Sequence, residues 1–582
     1  MQNKLRFNRR YIEIECYDAE SQYLAGQIPY VHKSRNQRIF RTSVRNIDLV
    51  LRLFRGIDIY NRDAKTVEFL TNGPSAILHL LEAEMQRRVA TKELLEVGPK
   101  GETVTEYITL RRHQQLGVEL AQVNNKWAFF YDTRTGKTPM SLQIITEDLK
   151  RNPTNKWLIL CPLVLIENAW LQDARDMFPH LSVVSLHGRT RKERLEKFKQ
   201  DANVYILNIE SYISYADEVA KLGIHGCIVD ESSAMKSNSS KFAKAAVEFA
   251  QTLERWYLLS GSPAPNGEHE YYLQLKSIDP YGVHESYNQF KKYFFDNISR
   301  NPQYDKLVLK PERRDEFHAL LRKYSLYVDK EEVLTTPGRE FKEVRLKLPE
   351  ELRELYEELR KELAVRIKDE VVTAPSSAAL LGKLNQVTSG FIIDTNAVKH
   401  NLMVKAARKN GQYIPPELDI IKEEVHGLND YRFKALMELL NSFGNDQAII
   451  WCNYHEEFRH IKDLLKERCG IVNGQVDIFT KNDNIEAFKA GSIQFLIANP
   501  ASIGKGLTLT NAHICVYFSM NYSYELWKQS IERIYGDISK QPKKCLYYIF
   551  IAENTIDRHI YTAVKKKGDV SLEVLNHLKG GL

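Results

Sequence analysis

The sequence predicts an α/β protein with two parallel-sheet units, a helical segment between them and a small α+β domain in front. Three observations lead there. From Leu110 onward, short apolar β-rich runs alternate with longer amphipathic stretches. The same alternation restarts near Tyr431, and a basic stretch rich in aromatic residues precedes both blocks. Near-continuous apolar strands set between helices belong to a sheet covered on both faces.

Composition narrows the class. Of 582 residues, 43% are hydrophobic and 27% charged, which excludes a largely disordered chain, a collagen-like fibre and a small disulfide scaffold. That length suggests about three or four domains. The longest apolar stretch, Trp157 to Ile166, is too short to span a bilayer. The first residues, MQNKLRFNRRYIEIE, place charges where a signal peptide needs an apolar core. Seven dispersed cysteines without a CxxC pair fit a reducing interior and argue against a zinc site. The expectation is a cytoplasmic protein. A net charge of +7, from 82 basic and 75 acidic residues, permits a polyanionic partner or simply a solvated surface.

The first segment, 1–106, reads as a basic accessory domain. Lys33, Arg35, Arg38, Arg41, Arg45, Arg52 and Arg55 crowd one stretch, interleaved with Tyr30, Phe40 and Phe54. Ile47, Val50, Leu51 and Phe54 have helical spacing, and EVGPKGETVTE (Glu96 to Glu106) looks like a linker. The first sheet unit covers 107–281, with strands expected at Trp127–Tyr131, Trp157–Cys161, Val183–Leu186, Val204–Leu207, Gly226–Val229 and Trp256–Leu259. Residues 282–430 read as a helical insertion and connecting segment. The second sheet unit, 431–582, has strands expected at Ala448–Cys452, Ile493–Ile497, Ile514–Phe518 and Leu546–Ile551.

The strongest local signal is TRTGKT, Thr133 to Thr138, between the strand WAFFY and a helical stretch beginning near Met140. A phosphate loop needs that setting, with backbone N–H groups and a helix N-terminus around the phosphate. Lys137 would neutralise the β- and γ-phosphates, and Thr138 would hold Mg²⁺. Thr133, Arg134, Thr135 and Gly136 complete the expected cradle. Tyr131 stands where GxxxxGK[ST] has its first glycine. VDESS, Val229 to Ser233, places two acids at the end of a strand, where α/β sheets bind ligands. Asp230 would contact Mg²⁺ through water and Glu231 would activate the attacking water, whereas the plainer reading is a helix N-cap.

With these motifs in order, the chain resembles superfamily 2 nucleic-acid-dependent ATPases of the Swi/Snf type, from Leu110 to about Tyr561. LRRHQQLG (Leu110 to Gly117) resembles the Q motif, and Gln114 is its implied adenine reader. TRTGKT resembles motif I, CPLVLIENAW motif Ia, LNIESY motif Ib, VDESS motif II and LLSGSPAPN motif III. IIWCNY resembles motif IV, NPASIGKGLTL motif V and QSIERIYG motif VI. The resemblance implies two RecA-like lobes, ATP with Mg²⁺, and DNA clamped through its backbone. It implies phosphate contacts by Gly504 and Gly506, with Lys236 and Lys505 as further DNA contacts. In motif VI, Gln529 and Arg533 match, but Gly536 occupies the second arginine position, so weakened hydrolysis is expected. Glycine there also fits a helix C-cap.

QIPYVHKSRNQRIFRTSVRNIDLVLRLF, Gln27 to Phe54, resembles the substrate-recognition domain of annealing and branch-migration helicases. Basic residues among aromatics suit phosphate contact and base stacking, and equally an ordinary solvated domain. The short appended regions favour a phage or bacterial DNA-processing enzyme over a chromatin remodeller, and the family suggests a monomer. The expectation is an ATP-driven translocase or helicase on duplex, forked or branched DNA. The alternatives are an ATP-gated DNA clamp and a motor that displaces proteins from DNA.

Overall fold

The computed structural model describes residues 4–8, 11–34, 38–46, 49–50, 53, 58–59, 102–104, 108–299, 305–362, 364–367, 370–373, 377–393, 425–503 and 507–566. These form two compact units that meet in sequence at Thr335–Thr336.

The first unit holds two principal sheets. The N-terminal one has five strands in the order His32–Lys33, Ile39–Ser43, Tyr11–Glu15, Lys4–Asn8 and Asp58–Ile59. Tyr11–Glu15 pairs antiparallel with both Lys4–Asn8 and Ile39–Ser43. Alternation puts Ile12, Ile14 and Phe40 in a core closed by Ala25 and Ile28, on or beside the helix Ala19–Gly26. Asp18 caps that helix by accepting from Ser21 N at 2.7 Å.

The larger sheet is parallel and seven-stranded, ordered Val183–Ser185, Val204–Asn208, Trp157–Cys161, Gly226–Asp230, Arg255–Leu259, Lys126–Tyr131 and Ser325–Val328. Along one strand, Leu158 and Leu160 enter one core while Trp157, Ile159 and Cys161 enter the other. Both faces are therefore covered, which is why the strand reads as an unbroken apolar run.

The second unit has a parallel six-stranded sheet ordered Arg339–Leu346, Cys545–Ala552, Ile514–Tyr517, Ala448–Trp451, Phe495–Ala498 and Cys469–Val472. Ile449 and Trp451 face one core, and Ala448, Ile450 and Cys452 the other. The fold class is α/β with two RecA-like lobes and a small N-terminal α+β domain. All seven cysteines are buried and free. Among the described residues, no helix is long and apolar enough to cross a membrane.

Among the described residues of 282–430, the charged helix Glu350–Glu362 and the helix Ser377–Thr388 stand beside strands that the sequence does not suggest. Helices Tyr287–Phe294 and Arg314–Arg322 are present, but Ser325–Val328 joins the first sheet and Arg339–Leu346 the second. The first of these is a four-residue run, too short for periodicity to reveal. The second is an edge strand whose charged, exposed residues mask its alternation, as edge strands require. Cys469–Val472 escapes notice for the same reason of length. In the expected linker, Glu102–Val104 forms a strand paired antiparallel with Thr109–Arg111.

Candidate nucleotide site

The site is built at the C-terminal ends of the central strands of the first unit. Lys126–Tyr131 leads through residues 132–136 into the helix Lys137–Arg151. The helix starts on Gly136 in the left-handed region (φ 77°), with no side chain capping the first turn. Its first N–H groups are thus left for an anion, assisted by the helix dipole. A Cβ at Gly136 would collide with the Gln114 amide. Arg134 also adopts a left-handed backbone, φ 64°, a strained choice for a residue other than glycine.

The loop is braced from behind by the helix Arg112–Val123. Gln114 accepts from Arg111 N at 2.8 Å and donates to the Gly136 carbonyl at 3.0 Å. Gln114 is therefore both the helix cap and a strut of the phosphate loop. His113 donates from Nε2 to the Thr135 carbonyl at 2.7 Å, and burial pushes its imidazole down to about 4. Tyr131, at the position of the expected first glycine, donates its hydroxyl to the His113 carbonyl at 2.8 Å. The departure from the phosphate-loop pattern thus has a use, since the tyrosine ties the strand to the bracing helix. Thr135 donates to the Asp132 carbonyl at 2.7 Å, and Thr133 N donates to Asp132 Oδ1 at 2.9 Å. Lys137 Nζ donates to the Tyr131 and Asp132 carbonyls, both at 3.1 Å. Thr138, half-buried, is the next helical residue.

Asp230 ends the strand Gly226–Asp230 and is 6% exposed. Its Oδ2 accepts from Trp170 Nε1 and its Oδ1 from Glu231 N, each at 3.0 Å. Burial first, then the charge of Glu231, pushes the carboxyl up to about 6, against the pull of Lys137. The pair is not a side-chain N-cap: the short helical turn Ser232–Met235 has no side-chain cap bond. Glu231 instead sits left-handed, φ 59° and ψ 57°. Lys236 closes that turn and is half-buried.

Ser260, Gly261 and Ser262 follow the neighbouring strand Arg255–Leu259. A Cβ at Gly261 would sit 3.1 Å from Thr133 N, so this loop lies directly on the phosphate loop. Ser262 N donates to Ser260 Oγ at 3.1 Å. Sequence reasoning passed over Gln274, in the helix Tyr272–Ile278, although it bonds both acidic and serine loops. It also assigned no role to Trp170. Gln274 lies outside the quoted motifs, and Trp170 ends the run CPLVLIENAW, where nothing in the spacing marks the indole as a partner of Asp230.

In the second unit, Gln529 donates to Glu525 at 3.3 Å. Arg533 is 4% exposed and donates to the Leu507 carbonyl at 3.0 Å, while its own carbonyl accepts from Leu509 N at 2.9 Å. It thereby fixes the chain leaving the motif V glycines. The helix Tyr524–Ile531 ends on Glu532 in a right-handed conformation, so Gly536 is not its cap. Gly504, Lys505, Gly506 and Arg35 lie outside the described residues.

Of the basic candidates in the N-terminal sheet, Arg38 and Lys33 are exposed, and the Lys33 ammonium lies 5.2 Å from the Phe40 ring centre. Arg41 stands directly across from Glu13 and donates to it at 2.9 Å. It therefore serves the sheet, as cross-strand opposite charges do. Arg45 donates to the Lys323 carbonyl at 2.6 Å and lies 4.8 Å from the Tyr324 ring, joining the sheet to the first lobe.

The SNF2-related domain family matches residues 102–390 and the helicase conserved C-terminal domain matches residues 431–535. The chain belongs to the Swi/Snf-type branch of superfamily 2. Members of this branch are nucleic-acid-dependent ATPases, and the match to the C-terminal domain ends one residue before Gly536. Among relatives, putative protein p41 of Acyrthosiphon pisum secondary endosymbiont phage 1 is 24% identical over 78% of this chain and 95% of its own length. Protein CHROMATIN REMODELING 19 of Arabidopsis thaliana is 20% identical, over 74% of this chain and 64% of that protein. The human DNA annealing helicase and endonuclease ZRANB3 is 22% identical over 70% of this chain and 35% of its own length. The SWI2/SNF2 ATPase core of Sulfolobus solfataricus in complex with dsDNA aligns over 83% of this chain and 97% of its own, at 16% identity and a TM-score of 0.35.

Proposed function

We propose that this Swi/Snf-type protein is an ATP-driven DNA translocase or helicase acting on duplex, forked or branched DNA. One observation carries the nucleotide half of the reading. An uncapped helix start with Lys137 and Thr138 lies at the same sheet edge as an acidic pair, buried Asp230 and half-buried Glu231, with Asp230 within reach of the Lys137 charge.

Mg²⁺ fits the residues present. Burial and the neighbouring glutamate disfavour the Asp230 carboxylate, and a divalent cation would offset that penalty. Among the described residues there is no cluster of three or more metal-binding side chains. That suits Mg²⁺, which takes one or two carboxylates and completes its shell with phosphate oxygens and water. When bound, the ion would neutralise charge on the triphosphate. Thr138 and Asp230 would hold it, Lys137 would pair with the phosphates, and Glu231 would orient water for in-line attack.

DNA as the polyanion is supported by family membership and by exposed Lys33 and Arg38. Binding led by phosphates should show low sequence specificity and steep salt dependence. A monomer in the cytoplasm of a bacterial or phage-infected cell completes the reading. Gly536 favours a second one, an ATP-gated clamp with slow turnover, because glycine supplies no guanidinium for the transition state.

Hydrolysis measured over single-stranded, duplex, forked and four-way-junction DNA tests both. DNA-stimulated turnover that Lys137→Ala and Glu231→Gln reduce by about 10³-fold or more supports the motor. ATP-dependent DNA affinity without turnover supports the clamp, and no response to any nucleic acid contradicts both.

A further inference from the structure

We infer that Gln274 is the positioning residue that holds Glu231 in its left-handed turn and ties it mechanically to the serine loop after the next strand. The inference deepens the ATPase reading and rests on it for its kinetic consequence.

Glu231 pays a steric cost for φ 59° and ψ 57°, so neighbouring contacts must over-determine that backbone. The anchor is the next residue. Ser232 is fully buried and its hydroxyl donates to Gln274 Oε1 at 2.8 Å. Gln274 is also fully buried, and its amide nitrogen donates to the Pro263 carbonyl at 2.8 Å and to the Glu270 carbonyl at 3.2 Å. One rigid, planar group thus accepts from the acidic turn and donates to the serine loop. The same loop is clamped from its other end, where Glu270 accepts from Asn266 N at 3.0 Å and from Asn266 Nδ2 at 2.8 Å.

The consequence lies in the geometry. The acidic turn and the serine loop can shift only together, because breaking the bond to either strands a fully buried polar group. The serine loop touches the phosphate loop through Gly261. A change at the phosphates is therefore passed to Glu231 through Pro263, Gln274 and Ser232.

The test uses the full chain. Gln274→Leu keeps roughly the volume and removes all three side-chain bonds, and Ser232→Ala removes one partner, with Ser232→Thr as the conservative rescue. On saturating duplex DNA, Gln274→Leu and Ser232→Ala should each lower kcat about tenfold or more while KM for ATP changes less than about twofold. The double variant should be no slower than the worse single one, and Ser232→Thr should recover most of the rate. Equal kcat in Gln274→Leu and the parent, or losses that simply multiply, would overturn the inference. Hydrogen exchange judges the link without catalysis. Amides of 229–236 and 260–266 should lose protection together in Gln274→Leu, and unchanged exchange overturns it. Should Gln274→Leu fail to fold, Ser232→Ala carries both measurements. A parent chain that never hydrolyses ATP would sink the ATPase reading alone, leaving exchange to decide on Gln274.

Discussion

His113 shows how a single residue sets the behaviour of the phosphate loop. His113 is held neutral by burial, at about 4 against an ordinary 6.5, and braces the phosphate loop. Between those values only the unfolded chain takes up the proton. The stability His113 contributes is therefore complete above about pH 6.5 and is lost as the pH falls toward 4. Asp230, pushed up to about 6, acts with the opposite sign and lowers stability as pH rises through that value. Thermal melts from pH 7 to 4 should show a shallower acid loss in His113→Asn than in the parent, and an identical slope contradicts the assignment. Gly536→Arg should raise turnover on saturating DNA by about 10³-fold if a guanidinium is what the site lacks, and equal rates would dispose of that idea. In the second unit, Arg432 is 1% exposed and pairs with Asp557 at 2.7 Å while donating to the Phe518, Phe550 and Thr388 carbonyls. Asp557→Ala leaves that guanidinium buried without its counter-ion. It should cost about 3–5 kcal/mol in denaturant unfolding.

At the scale of elements, the N-terminal sheet is fastened to the first lobe. Asp279 is buried and accepts from Ser43 Oγ and, at 3.0 Å, from the Tyr324 hydroxyl. His32 Nε2 donates to the Val283 carbonyl at 3.0 Å, and the Tyr30 hydroxyl donates to Glu316 at 3.2 Å. Asp279→Ala should lower unfolding stability by about 1–3 kcal/mol, because it strands two buried hydroxyls. Limited proteolysis should then release the N-terminal segment early, and an unchanged digestion pattern would contradict the docking. None of this was legible in the sequence. Arg41 and Arg45 look like nucleic-acid contacts when read as a basic run, and only the strand register reveals Glu13 opposite one and Tyr324 beneath the other. The central strands were legible because burial on both faces leaves runs such as WLILC without polar interruption. Ser325–Val328 and Arg339–Leu346 were not, one being too brief and the other too charged. Lys137, Asp230 and Glu231 stand out as candidates in the sequence because loop chemistry imposes local spacing. Gln274 was missed because its partners lie 42 and 11 residues away in the chain.

For the whole molecule, a net charge of +7 on 582 residues is too modest to hold DNA by overall attraction. Affinity must come from local groups, so it should fall steeply with salt while basal, DNA-free hydrolysis changes little. In the proposed function, the phosphate loop and the acidic pair Asp230 and Glu231 form one ATPase site whose turnover DNA controls. The most direct measurement is the steady-state ATPase rate of the purified chain with and without duplex DNA, beside Lys137→Ala. The proposed function requires a rate that rises severalfold or more with DNA and vanishes in the variant. A rate indifferent to every nucleic acid, or one that survives loss of Lys137, would contradict it.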